Sequence, residues 1–474
     1  MTAETQNSDS AAMRFEILRA AVKDGAAARV GRLAFAGRTP IDTPNFIGTT
    51  SRGALPHLTP DTVGKHLQVT GAYMALEDFI ERPQQYLKRI PPIYSTPTTA
   101  KHHTRLHSFT AMPQSVTTVL SARRLPAVPS PMGNTNASVS VFTSTGFQIL
   151  PTKEYLSAVQ ALEPDIAIPP ADLTHSPITP NSKRALRMAE RTDEWVVEWF
   201  SELADANSRI STFAPILPIS YSIQWEYISR LAEDYLPTAQ LSGLAIYDAD
   251  LVPDLADHCA ALLPLPRLSL ANPPTPHHIL RQIALGIDLF TLPFINTISD
   301  AGLALSFSFP PPDTSSSPTT NGSSSTRSLQ PLAIDLSLPH HATAATTPLS
   351  PNCTCHACTA HHSAYVHHLL AAREMLGWTL LQIHNHAVVS AFFAGVRDAL
   401  LQGDIKRFEE GARQFALAYE PEFPEGVGQK PRARGYQYKS VGDGEARRNK
   451  AAWGKLEGGE GEGEGAGEKG EKGV

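Results

Sequence analysis

Three of the four cysteines in this 474-residue chain fall within six residues, Cys353-Thr-Cys-His-Ala-Cys358. Zinc takes four soft or borderline ligands in a tetrahedron, and a Cys-x-Cys-x-x-Cys turn places three thiolates around one point. The competing readings are a redox or reactive thiol cluster and unligated buried cysteines. The fourth ligand must arrive from elsewhere, and histidines are crowded here. His356 lies inside the turn, His361, His362, His367 and His368 lie in the helix predicted after it, and His384 lies in Ile383-His-Asn385. His384 is the candidate. It follows an apolar run, Leu380-Leu-Gln-Ile383, that can fix the ring's approach, and it precedes a helix predicted over Ala387 to Leu401. That would put the ring at a helix entrance. The preference for His384 over the other histidines rests mainly on a resemblance set out below.

Positioning such a site requires a scaffold, and the length allows two or three ordinary domains or one large barrel with insertions. The formal net charge of −6 makes no whole-chain case for nucleic acid, so an RNA surface would have to be a local patch. Clustered cysteines with Cys259 standing alone suit a reducing compartment and metal binding better than a disulfide framework. A cytoplasmic location follows as the expectation. No apolar run approaches the roughly 18 residues that span a bilayer, and the polar start Met1 to Ser10 is unlike a secretory signal or an arginine-rich transit peptide. No integral membrane segment is expected.

Along the chain, residues 1–12 read as a disordered lead, and short strands are expected at Phe15 to Leu18, Arg29 to Phe35 and Ile41 to Phe46. Residues 90–135 show no sustained helical period, and His102, His103 and His107 there read as loop decoration rather than a second metal site. Val139 to Gln148 reads as a β-branched strand ending in a glycine turn, with its end at the catalytic face of a barrel. A strand at Asp165 to Ile168 follows, and then an amphipathic helix over Lys183 to Ala204, whose Arg184, Arg187 and Arg191 read as a solvated flank. Strand and helix then alternate: Phe213 to Ile219, Trp225 to Asp234, Leu241 to Tyr247, Arg267 to Leu270, His277 to Leu285 and Gly286 to Phe290. That is βα repetition. Residues 310–330 read as a low-complexity surface insertion, and Asp404 to Tyr419 as a last amphipathic helix. A disordered tail over 424–474 is basic with interleaved tyrosines before its Gly/Glu repeat. Lys430, Arg432, Arg434, Tyr436, Tyr438 and Lys439 are its candidate RNA contacts, able to clamp phosphates and stack on bases.

The cysteine turn, then Ser363-Ala-Tyr-Val-His-His368, Glu374-Met-Leu-Gly-Trp378, Leu380-Leu381 and Ile383-His-Asn385, resembles the zinc-binding segment of tRNA-guanine transglycosylases. Ala28-Arg-Val-Gly-Arg32, Thr43-Pro-Asn-Phe46 and Leu58-Thr-Pro60 are similar to that family's amino-terminal pattern. The resemblance covers roughly Arg29 to Leu401. It implies an α/β fold, a (β/α)8 TIM-type barrel over 13–423 with a zinc-binding subdomain inserted at 350–402. It also implies one structural zinc per chain on Cys353, Cys355, Cys358 and His384.

The same resemblance exposes what is missing. In the family's enzymes an aspartate opens an Asp-Ser-Gly-Gly-Phe-Gln motif beside the exchanged base, and a second aspartate attacks the ribose carbon. Displacing a base through a covalent intermediate needs such an ionisable oxygen. Here Thr143-Ser-Thr-Gly-Phe-Gln148 puts Thr143 at the first position, and Gly286-Ile-Asp-Leu-Phe-Thr-Leu-Pro293 puts Thr291 at the second. The base-binding Gly-Gly turn is altered to Gly243-Leu-Ala-Ile-Tyr-Asp248. Asp288 is expected to point away from the nucleophile's place, because on a strand it shares a face with Phe290 and not with Thr291. No catalytic residue is therefore expected. The pattern is similar to the family's non-catalytic accessory subunits, which implies a heterodimer with a catalytic queuine tRNA-ribosyltransferase subunit. In that complex the chain would bind tRNAs with GUN anticodons while guanine is exchanged for queuine at the wobble position. The site of work would be the cytoplasm, with peripheral association at the mitochondrial outer surface. The alternatives are an active transglycosylase using Asp172 or Asp288, and a zinc-bearing interaction protein outside tRNA modification.

Overall fold

A computed structural model describes residues 13–20, 27–82, 90–98, 102–175, 179–205, 209–312, 329–344, 346–402, 405–424 and 427. The chain divides into two compact units, Met1–Gln437 and Tyr438–Val474, and all described residues lie in the first. Eight strands close into a barrel: β1 Asn45–Thr49, β2 Gly71–Ala75, β3 Thr117–Ser121, β4 Ile166–Ala167, β5 Ser211–Ile216, β6 Leu241–Ile246, β7 Arg267–Ser269 and β8 Leu289–Thr291. Each pairs in parallel with its sequence neighbours, and β8 returns to β1 with Leu289 opposite Asn45. The expected (β/α)8 barrel is present.

Alternation along these short strands divides the core in two. Ile47, Tyr73, Val119, Ile166, Phe213, Ala245, Leu268 and Leu289 fill the barrel interior, while Phe46, Met74, Leu120, Ala214, Leu244 and Phe290 face the surrounding helices. Leu33 and Ile41 join the interior set from a three-stranded antiparallel sheet, Arg14–Ala20, Arg29–Ala34 and Ile41–Thr43, which plugs the amino-terminal end. From that sheet Arg29 donates Nε to Asp288 Oδ1 at 2.8 Å and Nη2 to Asp288 Oδ2 at 2.6 Å, with both side chains buried.

Several expectations are corrected. Val139 to Gln148 is not a barrel strand. It forms an antiparallel hairpin, Ser138–Thr143 with Gly146–Pro151, because Gly146 at φ +110° lets the chain reverse after two residues. The stretch 90–135, which shows no sustained helical period in sequence, contains a helix at Arg105–Thr110 and the barrel strand β3. His107 in it is buried, with its Nδ1 2.9 Å from Thr104 Oγ1 and its Nε2 2.9 Å from the Val116 carbonyl. Gly243 lies inside β6, where a Cβ would come within 2.6 Å of the Phe213 ring. Its role is to admit that ring, not to turn the chain. Arg184 and Arg191 are not merely a solvated flank of the helix Ser182–Asp205: both pair with the buried Asp172. Most of the 310–330 insertion lies outside the described residues.

Candidate metal centre and the two threonine positions

The cysteine turn is built from local backbone bonds. Asn352 adopts φ +61°, Cys353 N donates to Ser350 O, and Cys358 N donates to Cys355 O at 3.0 Å, which starts the short helix His356–Ala360. His384 comes from a different element. The helix Met375–Gln402 runs without a break through Ile383-His-Asn385, so the ring projects from mid-helix and not from a helix entrance as expected. The apolar residues before His384 continue the helix, and nothing there stops it.

The structure brings the four together. His384 Nδ1 lies 3.6, 3.6 and 3.4 Å from the sulfurs of Cys353, Cys355 and Cys358, and all four ligand atoms lie within 4.8 Å of one another. Zinc bonds of roughly 2.3 Å to sulfur and 2.0–2.1 Å to nitrogen, at a tetrahedral angle, put S and N about 3.6 Å apart. The donor set and its spacing therefore fit zinc. His384 is fully buried, and its Nε2 lies 2.9 Å from the Leu305 carbonyl, which fixes that nitrogen as the protonated one and leaves Nδ1 as the donor. The sulfurs are strongly interdependent: hydrogen bonds from Cys353 and Cys355 push the Cys358 thiol far down, while the same network pushes Cys355 far up. A divalent cation held there would take all three as thiolates.

Four of the other histidines make contacts elsewhere, and His368 is exposed. His356 stacks on His66 at 4.3 Å between centroids, His361 stacks on Tyr365 at 5.2 Å, and His367 Nδ1 lies 2.8 Å from the Leu336 carbonyl. His362 Nδ1 accepts from Tyr365 N and so caps the helix Ser363–Ala371, which begins after it. Asn385 has a role that the sequence reading did not give it. Its Oδ1 accepts from Leu305 N at 2.8 Å, and its Nδ2 donates to Leu303 O and Ser299 Oγ. His384 and Asn385 together clasp the strand Leu303–Leu305 to the helix.

Thr143 and Thr291, expected from the resemblance at the family's aspartate positions, both have their hydroxyls tied to backbone carbonyls. Thr143 is buried and donates to Glu81 O at 2.8 Å, and Thr291 is buried and donates to Ser269 O at 3.1 Å. Among the described residues neither hydroxyl bonds to a carboxylate or an imidazole. By alternation Thr291 shares the interior face with Leu289, and Asp288 lies three residues back, about 10 Å along the strand. Asp288 is held by Arg29 and by the Arg267 backbone N–H at 2.8 Å. Asp172 is also buried, gripped by both terminal nitrogens of Arg184 at 2.7 and 2.6 Å, by Arg191 at 3.3 Å and by Asn134 Nδ2 at 2.7 Å. The mouth between β2, β3, β4 and β6 is nearly filled, leaving a cavity of about 20 Å³. Small-molecule sites start at about 300 Å³.

A family model described as queuine tRNA-ribosyltransferase matches residues 24–420. The chain belongs to that family. Among curated proteins, the queuine tRNA-ribosyltransferase accessory subunit 2 of Schizosaccharomyces pombe is 33% identical over 415 residues, covering 87% of this chain and 86% of its own. Proteins of the same description from Xenopus tropicalis and Danio rerio are 26% and 27% identical, covering 82% and 79% of this chain and 97% and 92% of their own. The barrel and the Cys3His cluster are thus the scaffold of a queuine tRNA-ribosyltransferase family member whose relatives are named as accessory subunits. Among the described residues no helix is long and apolar enough to cross a membrane. Lys430, Arg432, Arg434, Tyr436, Tyr438 and Lys439 lie outside the described residues.

Proposed function

We propose that this chain is the non-catalytic subunit of a two-chain queuine tRNA-ribosyltransferase. It pairs with a catalytic homologue and positions tRNAs with GUN anticodons, while the partner exchanges guanine for queuine at the wobble base. The observation that carries this reading is the fate of the carboxylates. Base exchange needs an ionisable oxygen beside the ribose carbon, and a threonine without an adjacent base is a poor nucleophile. By the family resemblance Thr143 and Thr291 stand at the two aspartate positions, and the buried Asp172 and Asp288 are each already paired with arginine. A general base must reach its proton, and these two are walled off by their partners.

One zinc per chain would be held by Cys353, Cys355, Cys358 and His384, and its part is to tie the 353–358 turn to the long helix. The tail residues Lys430, Arg432, Arg434, Tyr436, Tyr438 and Lys439 supply phosphate and stacking contacts to tRNA. The complex works in the cytoplasm, with peripheral attachment at the mitochondrial outer surface; cell fractionation of the tagged chain checks that placement.

The test is co-expression with the catalytic homologue, followed by label incorporation into tRNA by each chain alone and by the pair. A denaturing gel for a covalent tRNA adduct accompanies it. This chain alone should incorporate nothing and form no adduct, the pair should far exceed the catalytic chain alone, and Thr291→Ala should leave that stimulation intact. Robust incorporation by the isolated chain, abolished by changing Asp172 or Asp288, would establish the opposite. Failure to associate with the homologue would place the chain outside tRNA modification.

A further inference from the structure

The barrel mouth holds a buried cation, Arg123, and the carboxylate that favours its charge, Glu77, accepts its hydrogen bonds from other donors. Arg123 follows β3, is 8% exposed and lines the cavity, and its Nε–H meets no acceptor among the described residues. An Nη2 hydrogen is given to the Val128 carbonyl. The carboxylates that follow β2 are committed elsewhere: Glu77 accepts from Arg124 N, Arg124 Nε and Phe142 N, and Asp78 pairs with Arg124 Nη2. Around the same cavity stand Tyr73, Ser121, Arg124, His175 and Tyr247, and no aspartate or glutamate is among its lining residues. Tyr73 gives its proton to the Arg123 carbonyl at 2.7 Å and so fixes the backbone that carries the guanidinium.

Burying a guanidinium donor without an acceptor costs free energy, which an incoming charged oxygen would recover through a charge-assisted bond. Burial holds the Arg123 guanidinium below its ordinary range, and burial together with Arg123 pushes His175 down to about 3, so that ring is neutral and keeps one N–H. Every charged side chain facing the space is therefore cationic. The location is the carboxyl end of the strands, where ligands of this fold collect. A volume of about 20 Å³ admits one or two water-sized atoms. That is room for an oxygen and not for a base.

We propose that the barrel mouth of this chain is an oxyanion pocket, in which one oxygen of a phosphate group is held by Arg123 Nε beside Ser121 and Tyr247 while the rest of the group faces solvent. An RNA backbone and free phosphate share this chemistry. The proposal stands on the pocket alone and does not require the accessory role.

The experiment titrates the full-length isolated chain with sodium phosphate against sodium chloride at equal ionic strength, read by calorimetry and by the thermal midpoint. Saturable binding of phosphate over chloride is expected. Ala127→Glu sets a carboxylate at the half-buried cavity rim without removing any core side chain, and should weaken phosphate binding by roughly tenfold or more. Arg123→Met should do the same. Its fold, and that of Ala127→Glu, is checked by the midpoint in chloride. Equal effects of phosphate and chloride on the wild type, or undiminished phosphate binding by Ala127→Glu, would overturn the proposal. Competition between phosphate and tRNA, with weaker tRNA binding by Ala127→Glu, assigns the RNA backbone as the source. Lost phosphate binding beside unchanged tRNA binding assigns free phosphate, and both outcomes support the pocket.

Discussion

Replacing Asp288 by asparagine separates a structural carboxylate from a catalytic one. Arg29 and Asp288 are almost completely buried, with side-chain exposures of 1% and 0%, and they meet through two hydrogen bonds. The Arg29 guanidinium also donates to the Leu263 and Leu265 carbonyls, and Asp288 also receives the Arg267 N–H. Asp288→Asn keeps the shape and deletes the charge, leaving a buried cation uncompensated beside Arg267, whose own guanidinium is pushed down to about 10 by burial and by Arg29. Removing one member of a buried pair costs about 3–5 kcal/mol. At roughly 2 °C per kcal/mol for a large domain, the midpoint should fall by roughly 6–10 °C. Adding Arg29→Met removes the stranded charge, so the double variant should be less destabilised than the single one in urea denaturation followed by tryptophan fluorescence. The reasoning fails if Asp288→Asn keeps wild-type stability while exchange by the two-chain complex collapses. It fails equally if the two substitutions add without compensation.

Metal analysis should return one zinc per chain, lost in Cys355→Ala and His384→Ala and retained in His356→Ala, whose ring is stacked on His66. Acid should destabilise the fold through His107: burial, then Arg38, lowers its imidazole from 6.5 to about 4. Between those values the unfolded chain binds a proton that the folded chain does not, so stability falls as pH drops through that window, by roughly 3 kcal/mol in all. His107→Gln should flatten that slope in denaturation measured from pH 7 to 4. Truncation before Lys430 should weaken tRNA binding by the two-chain complex and reduce its salt dependence, measured by filter binding; truncation before Glu457 should leave the thermal midpoint unchanged.

Features that a short run of residues determines by itself could be read before folding. Three thiols in six residues have few other uses, and the helix Ser182–Asp205 declares its periodicity over many turns. Barrel strands of two to six residues carry no such period. β3, Thr117–Ser121, was hidden because its hydroxyl residues look like loop composition until the barrel closes around them. The hairpin is hidden for a related reason: β-branched residues report an extended chain, not its partner, and the partner of Ser138–Thr143 is local. Glu77 and Arg123 gave no signal at all. Their character comes from being buried beside residues far away in the chain, as Glu77 is beside Phe142, 65 positions on.

The seam where β8 meets β1 also sets a schedule for making the protein. Asn45 waits for Leu289, Arg29 waits for a partner 259 residues away, and Pro44 O is reached by Arg397 only after 353 more residues have been added. At about 5–20 residues per second, the edge of β1 stays unpaired for roughly 12–50 s after it leaves the ribosome. Throughout that time an open strand edge can pair with the wrong chain, and the Arg29 charge has no carboxylate to bury against. Closure is therefore a late, long-range event in the life of the nascent chain.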